Sequence, residues 1–153
     1  MDMESQQVAG LERVATESQR PITEQEDALY SARVLEQARN PINLGCMEAP
    51  DAHAIITGWC GDTMEIYLRL NGSTIEEATF MTDGCGPAVA SGNMLTTMVQ
   101  GMALDEANRI DPQDLLLALD RLPDESAHCA ELAVNTLRKA IANVQRTQTT
   151  GVV

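Results

Sequence analysis

The stretch TMEIYLRLNGSTIEEATFMT, residues 63–82, decides the fold. From Thr63 to Leu70 apolar and polar residues alternate. Met64, Ile66, Leu68 and Leu70 share one face, and Glu65, Tyr67 and Arg69 the other. A period of two marks a strand with one buried face. Asn71-Gly72 then gives a strong hairpin signal. Ile75 to Thr82 supplies the returning strand, which stops at Asp83-Gly84. Upstream, the short apolar run Ala54-Ile55-Ile56-Thr57 before Gly58 predicts a further strand. The result is an antiparallel sheet of three strands, an ordinary size for a small sheet.

Helices are expected on either side. Ser31 to Arg39 has helical composition, with Tyr30, Val34 and Leu35 on one side, and stops at Asn40-Pro41, since proline disfavours helix in the residue before it. Pro87 suits the first turn of a helix that runs through Met94, Leu95, Met98 and Val99 to Gly101. Leu104 to Ile110 predicts a short helix, and Asp111-Pro112 is an N-cap followed by proline, opening another. A last helix starts around His128-Cys129 and carries Leu137, Ala140, Ile141 and Val144 at helical spacing. Strands first and helices after them point to an α+β domain with helices packed on one face of the sheet. Residues 1–28 are acidic and polar and read as a mobile tail; 29–145 form the domain; 146–153 read as a frayed end.

Composition excludes several roles. With 10 basic against 23 acidic residues the net charge is -13. That argues against nucleic acid and against an anionic membrane surface, and favours a cationic ligand or a partner with a basic face. No apolar run is long enough to span a membrane. The first thirty residues lack the apolar core of a secretory signal and are too acidic for a mitochondrial presequence. Four cysteines in four separate contexts, with no CxxC pair, suit a reducing cytoplasm rather than a disulfide framework.

Three of those cysteines stand in small-residue or polar settings: Gly58-Trp59-Cys60-Gly61-Asp62, Asp83-Gly84-Cys85-Gly86-Pro87 and Ala127-His128-Cys129-Ala130. Asp62 and His128 add a carboxylate and an imidazole. Cys60 falls in the loop before the first strong strand, Cys85 between a strand and a helix, and Cys129 at a helix start. The positive end of a helix lowers a thiol's pKa, so Cys85 and Cys129 are expected to be thiolate-prone. Thiolates select soft metals: iron–sulfur centres, zinc or Cu(I). A single cysteine in an arbitrary chain is more often a small buried hydrophobe, and that reading is kept for Cys46. His53 reads as a solvated loop residue, and Met94 and Met98 as core.

The chain resembles the IscU/NifU-type iron–sulfur cluster assembly scaffolds over roughly residues 30–145. The matching pieces are Tyr30-Ser31…Val34…Asn40-Pro41-x-Asn43-x-Gly45, Cys60-Gly61-Asp62-x-Met64, Gly84-Cys85-Gly86 with Ala88-x-Ala90-Ser91, Gly101-x-x-Leu104-Asp105-Glu106-Ala107, and Leu122-Pro123…His128-Cys129. The resemblance implies a three-stranded sheet with a metal site at one end. It implies that Cys60, Cys85 and Cys129 ligate a transient 2Fe–2S cluster with Asp62 or His128 in the fourth position. The same site would bind Fe²⁺ or Zn²⁺. Cys129 would accept persulfide sulfur from a cysteine desulfurase, and apo iron–sulfur proteins would receive the cluster. Such a protein is a scaffold and carrier rather than an enzyme, and a homodimer is compatible with it. The alternative is a zinc-binding sulfur acceptor or regulator that carries no cluster. The family's Leu-Pro-Pro-Val-Lys stretch before His-Cys reads Leu122-Pro123-Asp124-Glu125-Ser126 here, which weighs against docking to a dedicated Hsp70-type chaperone. The same change removes a positive charge near Cys129 and so opposes the helix effect on its pKa.

Overall fold

The computed structural model describes residues 28–152, with side chains to residue 144. The N-terminal stretch read as a tail lies outside the described residues but for Ala28. In chain order the elements are α1 (Ala32–Arg39), β1 (Ala52–Thr57), β2 (Thr63–Asn71), β3 (Thr74–Thr82), α2 (Gly86–Val99), α3 (Leu104–Asn108), α4 (Pro112–Ala118), a 3-10 turn (Asp124–Ser126) and α5 (His128–Val152). The strands form one antiparallel sheet in the order β1-β2-β3. Met64 faces Thr82 and Ile66 faces Phe80 across β2 and β3, so the alternating residues of both strands fall on one inner face. The hairpin turns on Gly72, whose φ of +63 suits glycine, and Asn71 closes the ladder against Thr74.

That inner face is roofed by helices. α2 lies over β3, α5 along β1 and β2, and α1 packs on α2. Met64, Ile66, Leu68, Ile75 and Phe80 are fully buried beneath them, together with Leu95, Leu137 and Ile141 from the helices. α2 is buried on nearly every side, as Pro87, Val89, Met94 and Leu95 show. Its hydroxyls satisfy themselves: Ser91 Oγ donates to the Pro87 carbonyl at 2.8 Å and Thr96 Oγ1 to the Gly92 carbonyl at 2.7 Å. Gly92 lets the helix close onto the sheet, because a Cβ there would be driven into the Phe80 ring.

The caps follow the sequence. Ser31 Oγ accepts from the Val34 amide at 3.1 Å and α1 ends at Asn40, before Pro41. Asp111 and Asp114 exchange side-chain to backbone bonds of 3.0 Å around the start of α4. α5 runs to Val152. Among the described residues no helix is long and apolar enough to cross a membrane.

Three features depart from the sequence reading. β1 begins at Ala52, so His53 is a strand residue on the outer face rather than a loop residue. Residues 43–45, which no sequence pattern marked as a strand, pair with β3. The Phe80 amide donates to the Asn43 carbonyl at 3.1 Å and the Gly45 amide to the Phe80 carbonyl at 2.8 Å, which covers the edge of β3. Asn43 is held there by α2: its amide donates to Asn93 Oδ1 at 2.9 Å, and its Nδ2 donates to the Thr96 and Thr97 hydroxyls. Cys46 is exposed, not buried. The opposite sheet edge, β1, is met by α5: Lys139 Nζ donates to the Ile55 carbonyl at 3.4 Å and Asn143 Nδ2 to the His53 carbonyl at 3.0 Å.

Candidate metal centre

Backbone bonds at one end of the sheet fix where the cysteines stand. In the β1–β2 connection the Gly61 amide donates to the Gly58 carbonyl at 2.9 Å, and the Gly58 amide to the Asp62 carbonyl at 2.8 Å. Trp59 and Cys60 are therefore the two corner residues of a closed turn, and Gly61 takes a φ of +94 that a side chain would disfavour. Asp83 Oδ1 accepts from the Thr63 amide at 2.7 Å, and Thr82 Oγ1 donates to the Thr63 carbonyl at 2.7 Å. These bonds tie the exit of β3 to the start of β2. Cys85 is thereby held as the N-cap of α2, next to the Cys60 turn. His128 and Cys129 arrive from above as the first residues of α5.

All five residues expected from the sequence converge here, in two groups that share one member. The ligand atoms of Cys60, Asp62 and His128 lie within 4.8 Å of one another, and so do those of Asp62, Cys85 and Cys129. The outer group is the more exposed; the inner one ends on Cys129, which is 1% exposed. Gly84 makes the approach of Asp62 feasible: a Cβ there would stand 3.0 Å from Asp62 Oδ2 and 2.6 Å from the Ala88 Cβ. His128 Nε2 is 3.8 Å from Cys129 Sγ. Three sulfurs, one carboxylate and one imidazole suit a soft or borderline cation or an iron–sulfur unit.

The two inner thiols shift each other in opposite directions. The neighbouring Cys129 thiol and the Ala88 amide in the first turn of α2 outweigh burial and pull Cys85 down to about 6. Cys129 is pushed the other way, well above the ordinary thiol range, by Cys85 beside it, by burial and by the charge of Asp62. The helix-start expectation therefore holds for Cys85 and fails for Cys129, where a neighbouring thiolate outweighs the helix end. In the metal-free protein at pH 7, iodoacetamide is expected to label Cys85 and spare Cys129. Because the Cys85 pKa is lowered, its thiolate persists above pH 6 and its labelling falls as pH drops through about 6. Peptide mass mapping separates the sites, and equal labelling of Cys85 and Cys129 at pH 7 would contradict the opposed shifts.

Cys46 and His53 are not part of this centre. They sit on the outer face of the sheet around Tyr67, whose ring stacks on His53 at 4.6 Å between centroids. The Tyr67 hydroxyl donates to Glu65 Oε2 at 3.0 Å and lies 3.6 Å from Cys46 Sγ. Burial, and then those neighbours, raise the Tyr67 pKa beyond its usual range. Sequence reading missed the Trp59 ring, which meets the His128 ring at 5.0 Å between centroids.

The family model described as "NifU-like N terminal domain" matches residues 29–150. The chain belongs to this family. It is 36% identical over 119 residues to the iron-sulfur cluster assembly scaffold protein IscU 1 of Archaeoglobus fulgidus, covering 77% of this chain and 78% of that protein. It is also 36% identical to the iron-sulfur cluster assembly scaffold protein IscU of Escherichia coli K12, covering 74% of this chain and 92% of the relative. A solved NifU-like N-terminal domain from Brucella abortus superposes with a TM-score of 0.66 at 21% identity, over 78% of this chain and 96% of that one. This NifU-like domain thus has the sheet-and-helix architecture that its alternating strands predicted. Asn43 and Gly45, part of the resemblance, serve the fold: they carry the segment that closes the edge of β3.

Proposed function

We propose that this chain is a scaffold on which an iron–sulfur cluster is built from iron and delivered sulfur, and from which the cluster passes to apo-proteins. The observation that carries the reading is the place of Asp62 in both ligand groups. A protein that keeps its cluster usually holds it by four thiolates. Here only three sulfurs converge, and the remaining donors are a carboxylate and an imidazole. A hard oxygen is the weaker partner for iron bound to sulfide, so the cargo has a side on which it can be exchanged. The names of the relatives at 36% identity point the same way.

Sulfur transfer fits the inner pair. Cys129 is the proposed acceptor; its proton, held more tightly at rest than that of Cys85, must first pass to Cys85 Sγ. The Cys129 sulfur then attacks the outer sulfur of a desulfurase persulfide, a new S–S bond forms at Cys129, and the desulfurase cysteine leaves as thiolate. Since Cys129 is buried, the site must open for this step. Four free cysteines suit a reducing compartment such as the cytoplasm.

Anaerobic incubation with a cysteine desulfurase, cysteine and ferrous iron tests the proposal. The expected result is the visible absorption and circular dichroism of a 2Fe–2S cluster, followed by transfer to apo-ferredoxin. A colourless protein holding one tight zinc would instead favour the zinc-binding acceptor, whose tetrahedral needs the same donors meet.

A further inference from the structure

Trp59 has no place in the ligand set, yet it is the chain's sole tryptophan and is 84% exposed. An indole so exposed gains little from burial. The local contact is His128: the rings meet at 5.0 Å, inclined by 52°. The backbones of Trp59 and Cys60 are set together, because both are corners of the turn closed by the Gly61 to Gly58 bond. The imidazole has a choice to make. Its Nε2 stands 3.8 Å from Cys129 Sγ, and one of its ring nitrogens belongs to the group with Cys60 and Asp62. Rotation about its side-chain bonds would take it out to solvent.

We propose that Trp59 is a positioning residue for His128. Its indole stands against the imidazole and keeps the nitrogen in reach of Cys60 and Asp62. The turn that presents the Cys60 thiol thereby also sets the imidazole, and the two outer ligands engage and leave together. This rests on the scaffold reading only in taking the five side chains as a metal site.

Co²⁺ alone is the probe, since its visible bands distinguish sulfur from nitrogen and oxygen donors. Wild type, Trp59→Ala, Trp59→Phe, His128→Ala and the Trp59→Ala/His128→Ala double variant are each titrated, and Co²⁺ release to a chelator is timed. Trp59→Ala is expected to shift the ligand-field bands toward those of His128→Ala and to speed release about 3- to 10-fold. Phenylalanine, which keeps a ring against the imidazole, should restore most of the wild-type spectrum, which a merely structural role for the loop would not require. The double variant should release no faster than His128→Ala, because both changes remove the same ligand. Spectra and release unchanged in Trp59→Ala, or effects of the two changes that simply multiply, would overturn the role of Trp59 while leaving the metal site intact. A wild type with no thiolate-to-cobalt band would overturn both this inference and the scaffold reading.

Discussion

Replacing Asp62 with alanine is expected to slow cluster delivery to apo-ferredoxin about tenfold while leaving assembly intact. The carboxylate is the only side chain in both ligand groups. Transfer begins when a thiolate of the acceptor displaces one scaffold ligand, and the ligand displaced first is the weakest. With Asp62 present that is a carboxylate on a soft centre. Without it, His128 is left to complete the set beside Cys60, Cys85 and Cys129, and exchange must begin at nitrogen or sulfur. A difference of roughly 1.4 kcal/mol in the barrier gives the tenfold. Ligand exchange followed by the growth of ferredoxin circular dichroism measures it. Equal half-times for the variant and wild type would remove Asp62 from the release step.

Gly92→Val is expected to be the most damaging single change of the fold among those considered. Phe80 is fully buried between β3 and α2, and the ring lies where a Cβ at residue 92 would go. Alanine alone would gain about 1 kcal/mol of helix propensity over glycine, which offsets part of its clash. Valine loses that offset through its branched Cβ and adds two methyls against the ring. Overpacking of a closed core costs typically 1–3 kcal/mol, and this case falls near roughly 3. For a chain of this size that lowers the melting temperature by about 6–12 °C. Thermal unfolding followed by far-ultraviolet circular dichroism reads it, and a melting point within about 2 °C of wild type would show that α2 can retreat from the sheet.

The sheet and the ligand set were legible because their signals are local. Alternation from Met64 to Leu70, the Asn71-Gly72 break and Asp111-Pro112 each state their structure within a few residues. The three cysteines announced themselves by glycine and aspartate neighbours. What stayed hidden depends on partners far along the chain. Asn43 looks like any loop asparagine until Asn93, Thr96 and Thr97 hold it beside β3. His53 lies just before the apolar run that signalled the strand, Ala52 alone is too small to extend that signal, and the outer face that His53 shares with Tyr67 is a property of the folded sheet. The raised pKa of Cys129 follows from Cys85, 44 positions earlier, and no reading of the helix start alone would give it.

The contacts that Lys139 and Asn143 make with β1 bear on whether its sheet can grow by adding strands from another copy. An outermost strand with open carbonyls is a template on which a second molecule can lay its own strand. Here the Ile55 and His53 carbonyls are already engaged by α5, and the far edge is closed by residues 43–45. Growth of the sheet from one molecule into the next would first have to strip those side chains away.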